Sequence, residues 1–508
     1  MGILCSYQSR GPERVPTDEI VPLRIWDTAL CMRSTVLDIS LKIDDFLDIT
    51  KIRGALDELF ELEDWKQLGA RLRMNVFLCV TDAMFSQNGK LEYHIPRSFD
   101  DRRPAYHFTN ITHLMSINDH PLGKHLPQAS DKPILLGSPD EFSPLVSDVD
   151  SPKTLHDWID SDIPQLAIHT VSFSDSTIIT VTWIHTLADV MGIRTFLDAW
   201  TAILRGEPKA VPKLRGFRSD PLSLLGQRTP ANQYIYYDRV FGRKDFLYFI
   251  GLNILERLWY PREERRTLCL PASSLKHLRS MAVSQISSIT PTEDKIVPFL
   301  SESDVLLAWW VSTLHGALGL RPDQAILVNN ALNLRTSTHD SFEATDDDYI
   351  GNALCMSPTF LQGSEISMES LGPIALRIRQ SLAQQRTTEQ VEAVTALQME
   401  TMERTGYLAL VGDPRMVLLS CSNWKKAGLY DVDFSPAIVQ NSIRSKIGNS
   451  GEPGKPVYVN GVQHSAKSFR NVLSVLGKDS AGNWWLTGVL RTSAWKKVQE
   501  QLDMIDMA

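Results

Sequence analysis

Two β-rich runs, QLAIHTVSF and STIITVTWIH, meet at a short SDS turn, so that His185 falls at the C-terminal end of the second. Immediately beyond, Val190, Ile193, Leu197, Trp200 and Leu204 recur at helical spacing, and Gly206 is placed to stop the helix. An order of strand, turn, strand, corner and helix makes the chain mixed α/β, and it sets His185 on a strand-to-helix corner. Asp189 stands four residues after His185, directly before the helix.

The same alternation continues in both directions. STVLDISLKI (34–43) reads as a strand, and TKIRGALDELFEL (50–62) carries Ile52, Leu56, Leu59 and Phe60 at helical spacing. Proline, glycine and basic residues crowd 206–230, which marks a surface connection. RRTLCLPASSLKHLRSMA then opens a second half, followed by the helix SESDVLLAWWVSTLHGALG, with Ser303 as its N-cap and Gly319 as its stop. QAILVNNALNLR is again strand-like, and TDDDYIGNAL is an acidic turn entering another strand. We therefore expect an N-terminal subdomain over 1–215, a crossover with an apolar helix over 216–265 and a C-terminal subdomain over 266–508. A chain of 508 residues exceeds one simple core, which agrees with two units.

Composition excludes several classes. A net charge of -8 argues against nucleic acid as a general partner, because duplex binding needs concentrated positive surface. Cys5, Cys31, Cys79, Cys269, Cys355 and Cys421 form no CxxC pair or other metal spacing, which fits free thiols in a reducing, cytoplasmic compartment. Glycine-rich phosphate loops and internal repeats are absent. The N-terminus lacks a secretory signal, although Gly2 with Ser6 fits the short myristoylation pattern and Cys5 is placed to take a palmitoyl chain. The most apolar run, residues 246–260, is too short to span a bilayer and contains Glu256 and Arg257. It reads as a buried or partly buried helix, with a membrane-surface or substrate-facing helix as the alternative.

Imidazole titrates near neutrality, and a strand end is where catalytic groups are commonly presented, so His185 is a candidate general base for an attacking alcohol. For Asp189 the residues favour a helix cap over an orienting partner for the imidazole. No G-x-S-x-G is present and no cysteine has a recognisable catalytic context, so a His-based reaction here is direct transfer between two bound substrates.

HTLADVMG (185–192) resembles the HxxxD signature of the BAHD acyl-CoA-dependent acyltransferases, and further segments follow in the family's order. WKQLGARLRMN (65–75) is similar to its LAGRL segment, SESDVLLAWWVSTL to the helix after a Ser/Thr-x-x-Asp start, and NNALNLR with YIGNAL to its VNxRxR and YxGN region. SCSNWKKAGLYDVDFSPA (420–437) resembles the segment ending in DFGWG: Asp433 and Phe434 match, whereas Ser435, Pro436 and Ala437 replace Gly-Trp-Gly, and proline imposes a different loop path.

The resemblance implies an α/β fold of two chloramphenicol acetyltransferase-like subdomains, mixed sheets flanked by helices, with a channel between them. It makes His185 the general base and turns Asp189 away into a structural ion pair with Arg335, a cation suited to holding a buried carboxylate. Gly192, Asp433 and Phe434 join these as structural support, and Ser422 and Trp424 become candidates for lining the substrates and donating to an oxyanion. The implied activity is acyl-CoA-dependent O-acylation, with acetyl as the default, of a hydroxylated, fairly apolar small molecule by a monomer holding no permanent cofactor or metal. The alternatives are an N-acyltransferase or a carrier-protein-dependent condensation enzyme, whose usual HHxxxDG is not matched by Ile184 and Val190, and a catalytically silent binding protein on the same scaffold.

Overall fold

The β-rich runs form strands that assemble into three sheets in the structure, a computed structural model describing residues 11–75, 90–289, 298–336, 347–439, 451–465 and 470–507. In chain order the strands are β1 (Glu19–Pro22), β2 (Thr35–Ile43), β3 (Arg71–Asn75), β4 (Lys90–Ile95), β5 (His107–Thr112), β6 (Ile134–Leu135), β7 (Leu166–Ser172), β8 (Thr177–Ile184), β9 (Glu263–Leu270), β10 (Ala325–Asn333), β11 (Leu354–Gln362), β12 (Val417–Asn423), β13 (Pro456–Ser465), β14 (Val472–Lys478) and β15 (Trp484–Arg491). The longer helices are α1 (Ile49–Glu61), α2 (Val190–Leu204), α3 (Arg243–Trp259), α4 (Ala272–Ile289), α5 (Glu302–Leu318), α6 (Leu371–Gln385), α7 (Thr388–Thr405) and α8 (Trp495–Met507). The expected strand, turn, strand and helix over 166–204 are present, and the turn brings Ser172 opposite Thr177.

The first large sheet has the order β13-β2-β8-β7-β5 and the second the order β11-β10-β12-β14-β15-β9-β6; β1, β4 and β3 form a small third sheet. Every residue of β7 and β8 is buried, which explains their near-continuous apolar sequence. The threonines among them are satisfied across the sheet, Thr180 donating to Ser40 at 2.9 Å and Thr182 to Asp38 at 2.7 Å. Helix α1 starts at Asp48, whose carboxylate accepts from the backbone N–H groups of Thr50 and Lys51, and α2 lies beside it, the Trp200 indole donating to the Ile52 carbonyl. Helix α5 starts at Ser301, which forms a capping box with Asp304, and ends at left-handed Gly319. Ser303, the expected cap, instead lies inside the first turn and faces a cavity; the reciprocal Ser301–Asp304 bonds satisfy two N–H groups, which one Ser303 hydroxyl cannot do.

The two large sheets do not follow a division of the chain at 215 and 265. Strand β13, from the second half, pairs with β2 over nine registered positions in the first sheet, whereas β6, from the first half, pairs with β9 at the edge of the second. Each half thus lends a strand to the other.

The DFSPA segment is part of this interlocking. Phe434 is fully buried and meets Trp200 of α2 edge-on at 5.3 Å, the Ala437 carbonyl accepts from the Asp48 N–H at 2.8 Å, and Asp433 accepts from the Ser435 N–H at 2.8 Å. Pro436 occupies the opening of a 3₁₀ turn, where a missing N–H leaves no hydrogen bond unmade. The three replaced residues are therefore accommodated by a tight turn at the back of α2.

Of the expected buried or partly buried helix over 246–260, the second form is the one found. Only Phe249 of α3 is buried; Leu252 is half-buried, and the other large apolar residues face outward. Sequence periodicity identified the helix and its length but not which of its faces meets protein.

Truncating Phe434 to alanine removes the ring from a closed packing site, and the expected cost is about 3 to 5 kcal/mol of unfolding free energy. Urea titration of the variant checks it; an unchanged midpoint would contradict a supporting role for this segment.

Candidate active site

The corner that carries His185 is held by hydrogen bonds from several different elements. The His185 N–H donates to the Thr35 carbonyl at 2.9 Å, and the Asn352 side-chain amide donates to the His185 carbonyl at 2.8 Å. The Tyr93 hydroxyl reaches the Thr186 carbonyl at 3.0 Å, and the Trp183 indole reaches the Ala188 carbonyl at 3.0 Å. A tight turn between strand and helix leaves carbonyls without regular partners, and here side chains supply them. The corner is consequently rigid without being regular.

Asp189 stands at the N-terminus of α2 and turns away from the imidazole. One carboxylate oxygen accepts the Gly192 N–H at 2.9 Å; the other accepts Arg335 at 2.8 Å and the Ala353 N–H at 3.0 Å. Burial pushes the Asp189 carboxyl up, but the Arg335 charge and these hydrogen bonds outweigh it and hold the group below its ordinary value. Arg335 also donates to the carbonyls of Tyr349 at 3.1 Å and Gly351 at 2.5 Å. Gly192 is required by space: a Cβ there would lie 1.8 Å from the Ile350 carbonyl oxygen. One ion pair thus joins the start of α2 to the Tyr349–Ala353 segment of the other half.

Asn352, in the YIGN segment, and Asp27, which no motif includes, also belong to this corner. The Asn352 amide donates to both Asp27, at 2.8 Å, and the His185 carbonyl. Burial raises the Asp27 carboxyl to about 7, against the Asn352 hydrogen bond and the Arg24 charge. In the sequence Asp27 sits in an unpatterned stretch with nothing to single it out.

His185 lines a cavity of about 550 Å³ between the two large sheets, a size typical of small-molecule sites. Its Nδ1 is buried without a hydrogen-bond partner. Burial lowers the pKa of the imidazole below its ordinary 6.5, opposed by its own carbonyl and by the charge of Asp189. The ring is therefore neutral at pH 7.

Across the cavity stand Ser422 and Trp424, from the end of β12 and the turn after it. The Trp424 indole N–H donates to the Ser422 hydroxyl oxygen at 2.8 Å, so the indole proton is engaged and the Ser422 O–H is the group free to donate onward. Exchanged strand β13 shapes this wall: a Cβ at Gly461 would lie 2.6 Å from the Trp424 ring. Cys421, also in the lining, is pushed up to about 12 by burial, which keeps its thiol protonated and unreactive. Asp433 and Phe434 do not line the cavity.

Four cations also line the cavity. Arg379, Arg386, Lys425 and Lys426 line it; Arg379 lies 3.7 Å from Asp304, and Lys425 lies 3.7 Å from Glu302 and 5.2 Å from the centre of the Trp484 ring. These residues come from α6 with its C-cap and from the turn after β12, and only the fold gathers them.

Two half-sites facing one cavity, a half-buried neutral histidine on one side and a hydroxyl donor on the other, define a site for group transfer between two bound molecules. The chain belongs to the transferase family, whose model matches residues 135–502, and it is an acyltransferase of the BAHD type. It is 64% identical over 502 residues to the acetyltransferase adrJ of Penicillium rubens and 62% identical to that of Penicillium roqueforti, covering 99% of its own length and of theirs. Among solved structures it is similar in fold to TRI101 of F. sporotrichioides complexed with coenzyme A and T-2, with a TM-score of 0.65 at 16% identity, covering 95% of this chain and 97% of that one.

Replacing Asp189 with asparagine, or Arg335 with alanine, leaves the remaining charge buried without its partner, and each is expected to lower unfolding free energy by about 3 to 5 kcal/mol. Denaturant melts check both; the double variant should lose less than the sum of the two, because the groups share one interaction.

Proposed function

We propose that the protein transfers an acetyl group from acetyl-CoA to a hydroxyl of a fairly apolar specialised metabolite, with His185 as the general base. The observation that carries this reading is the neutral imidazole of His185 lining a cavity that Ser422 and Trp424 also line. The relatives named as acetyltransferases, nearly full-length matches, support acetyl as the group moved.

In this mechanism Nε2 accepts the proton of the acceptor hydroxyl as its oxygen attacks the thioester carbonyl. The oxyanion receives the Ser422 O–H, which the Trp424 N–H makes a better donor by holding its oxygen. Collapse breaks the C–S bond, and the imidazolium returns the proton to the CoA thiolate, leaving ester and free thiol. General-base assistance of this kind contributes about 100-fold to 10,000-fold. The phosphates of CoA fit the cationic end formed by Arg379, Arg386, Lys425 and Lys426, where several charges act together on a polyanion. That cluster favours a CoA donor over an acylated carrier protein, and the protonated Cys421 favours direct transfer over a covalent acyl-enzyme.

His185→Ala should reduce turnover by at least about 100-fold while the protein stays folded. Release of CoA at the wild-type rate in the presence of the true acceptor would refute the assignment. In the wild type the base is active when unprotonated, and its pKa lies below 6.5. The ratio kcat/KM should therefore level off at alkaline pH, reach half its plateau at a pH below that of a free imidazole, and fall about tenfold per unit at pH values below the pKa of the folded-state imidazole. Ser422→Ala should lower kcat by about 100-fold with little change in KM for acyl-CoA, and Trp424→Phe should lower it less; steady-state kinetics separate the two.

A further inference from the structure

Helix α3 is inverted relative to an ordinary surface helix. Its buried residue, Phe249, packs against Leu327 and Met416 and meets Phe241 edge-on at 5.8 Å. Its C-terminal end is fixed by Arg470, which pairs with Glu256 at 2.5 Å and Glu263 at 2.9 Å and donates to the Tyr260 carbonyl. The opposite face carries two rows at helical spacing: Leu247, Ile254 and Leu258 in one, Tyr248, Leu255 and Trp259 in the other. All six are exposed, Leu247 at 70%, Leu258 at 73% and Trp259 at 80%. A continuous apolar face of this kind marks an interaction surface.

Charge identifies what the surface meets. Arg243 and Lys244 are exposed at the start of α3, four residues before Leu247 and Tyr248, and so head the two apolar rows; exposed Arg262 follows the other end. The acids of the helix point elsewhere, Asp245 accepting from the Gly242 N–H at 2.9 Å and Glu256 pairing with Arg470. Cations thus flank the apolar face at both ends, in a protein whose net charge is -8.

We propose that α3 lies in the surface of an anionic bilayer, with its leucines, Ile254 and Trp259 at the boundary between headgroups and acyl chains and Arg243, Lys244 and Arg262 on lipid phosphates or carboxylates. Tyr and Trp favour that boundary, and basic residues reach from it to the headgroups. No helix of the described residues is long and apolar enough to cross a membrane, so α3 rests on the surface. A second copy of the chain fits less well. One helix face about 25 Å long and about 10 Å wide falls short of the roughly 800 Å² per partner of a stable interface.

The test uses full-length, unacylated protein and sedimentation with vesicles of phosphatidylcholine alone or containing phosphatidylserine. The wild type should sediment with the anionic vesicles. Leu255→Glu with Leu258→Glu should reduce its partitioning by about tenfold or more, and Arg243→Glu with Lys244→Glu should remove the preference for the anionic vesicles. Turnover on a soluble acceptor should be unchanged in both variants, which shows that they remain folded. Failure of the wild type to sediment, or equal sedimentation of the leucine variant, would overturn the proposal. So would a dimer, measured by light scattering, that the leucine variant converts to monomer, because the face would then be a contact between copies.

Discussion

The buried pair of Asp189 and Arg335 is the interaction on which the site depends. A carboxylate without water is costly, and it is tolerated here because both oxygens are filled, by a guanidinium and by the N–H groups of Gly192 and Ala353. The same guanidinium holds the carbonyls of Tyr349 and Gly351, and the next residue, Asn352, holds the carbonyl of His185. The proposed base is therefore positioned from the second half of the chain, through a loop that Arg335 orders, although it follows a strand of the first. Asp189 and His185 are neighbours in sequence with separate places: the carboxylate fixes the corner, and the imidazole it presents is the proposed base.

Exchange of strands makes that division of labour workable. With β13 in the first sheet and β6 in the second, sliding or opening between the sheets would break backbone ladders as well as side-chain contacts. The distance between His185 and Ser422 is thus set by the sheets. Gly461 of β13 admits the Trp424 ring at close range, and Trp424 in turn holds the Ser422 oxygen, so the exchanged strand bears directly on the proposed oxyanion donor.

Much of this was legible in the sequence, because periodicity and capping chemistry are local. The strands ending at His185, helix α2 with Asp189 before it, and Gly319 as a stop all follow from spacing and from which residues satisfy helix ends. The Asp189–Arg335 pairing came from family resemblance and not from spacing, since the residues are far apart in the chain. What local patterns miss are contacts that only the fold creates. Asp27 lies in a stretch with no pattern, the cationic end of the cavity draws on α6 and a distant turn, and the lent strands look like any others. Ser303 resembles a cap in the sequence because one hydroxyl beside an apolar run looks like another; the reciprocal bonds of Ser301 and Asp304 decide between them.

The outward face of α3 belongs to the same class of hidden information, and it follows from the exchange. A connecting helix between two subdomains ordinarily buries its apolar stripe to hold them together. Here β6 and β13 already do so with backbone hydrogen bonds, and α3 needs only Phe249 and the Arg470 cluster to stay attached. Its exposed apolar residues contribute nothing to the core, and leaving each large one in water forgoes about 1.5 to 3 kcal/mol of available burial. An apolar face that the fold does not use is free to be kept for a surface outside it.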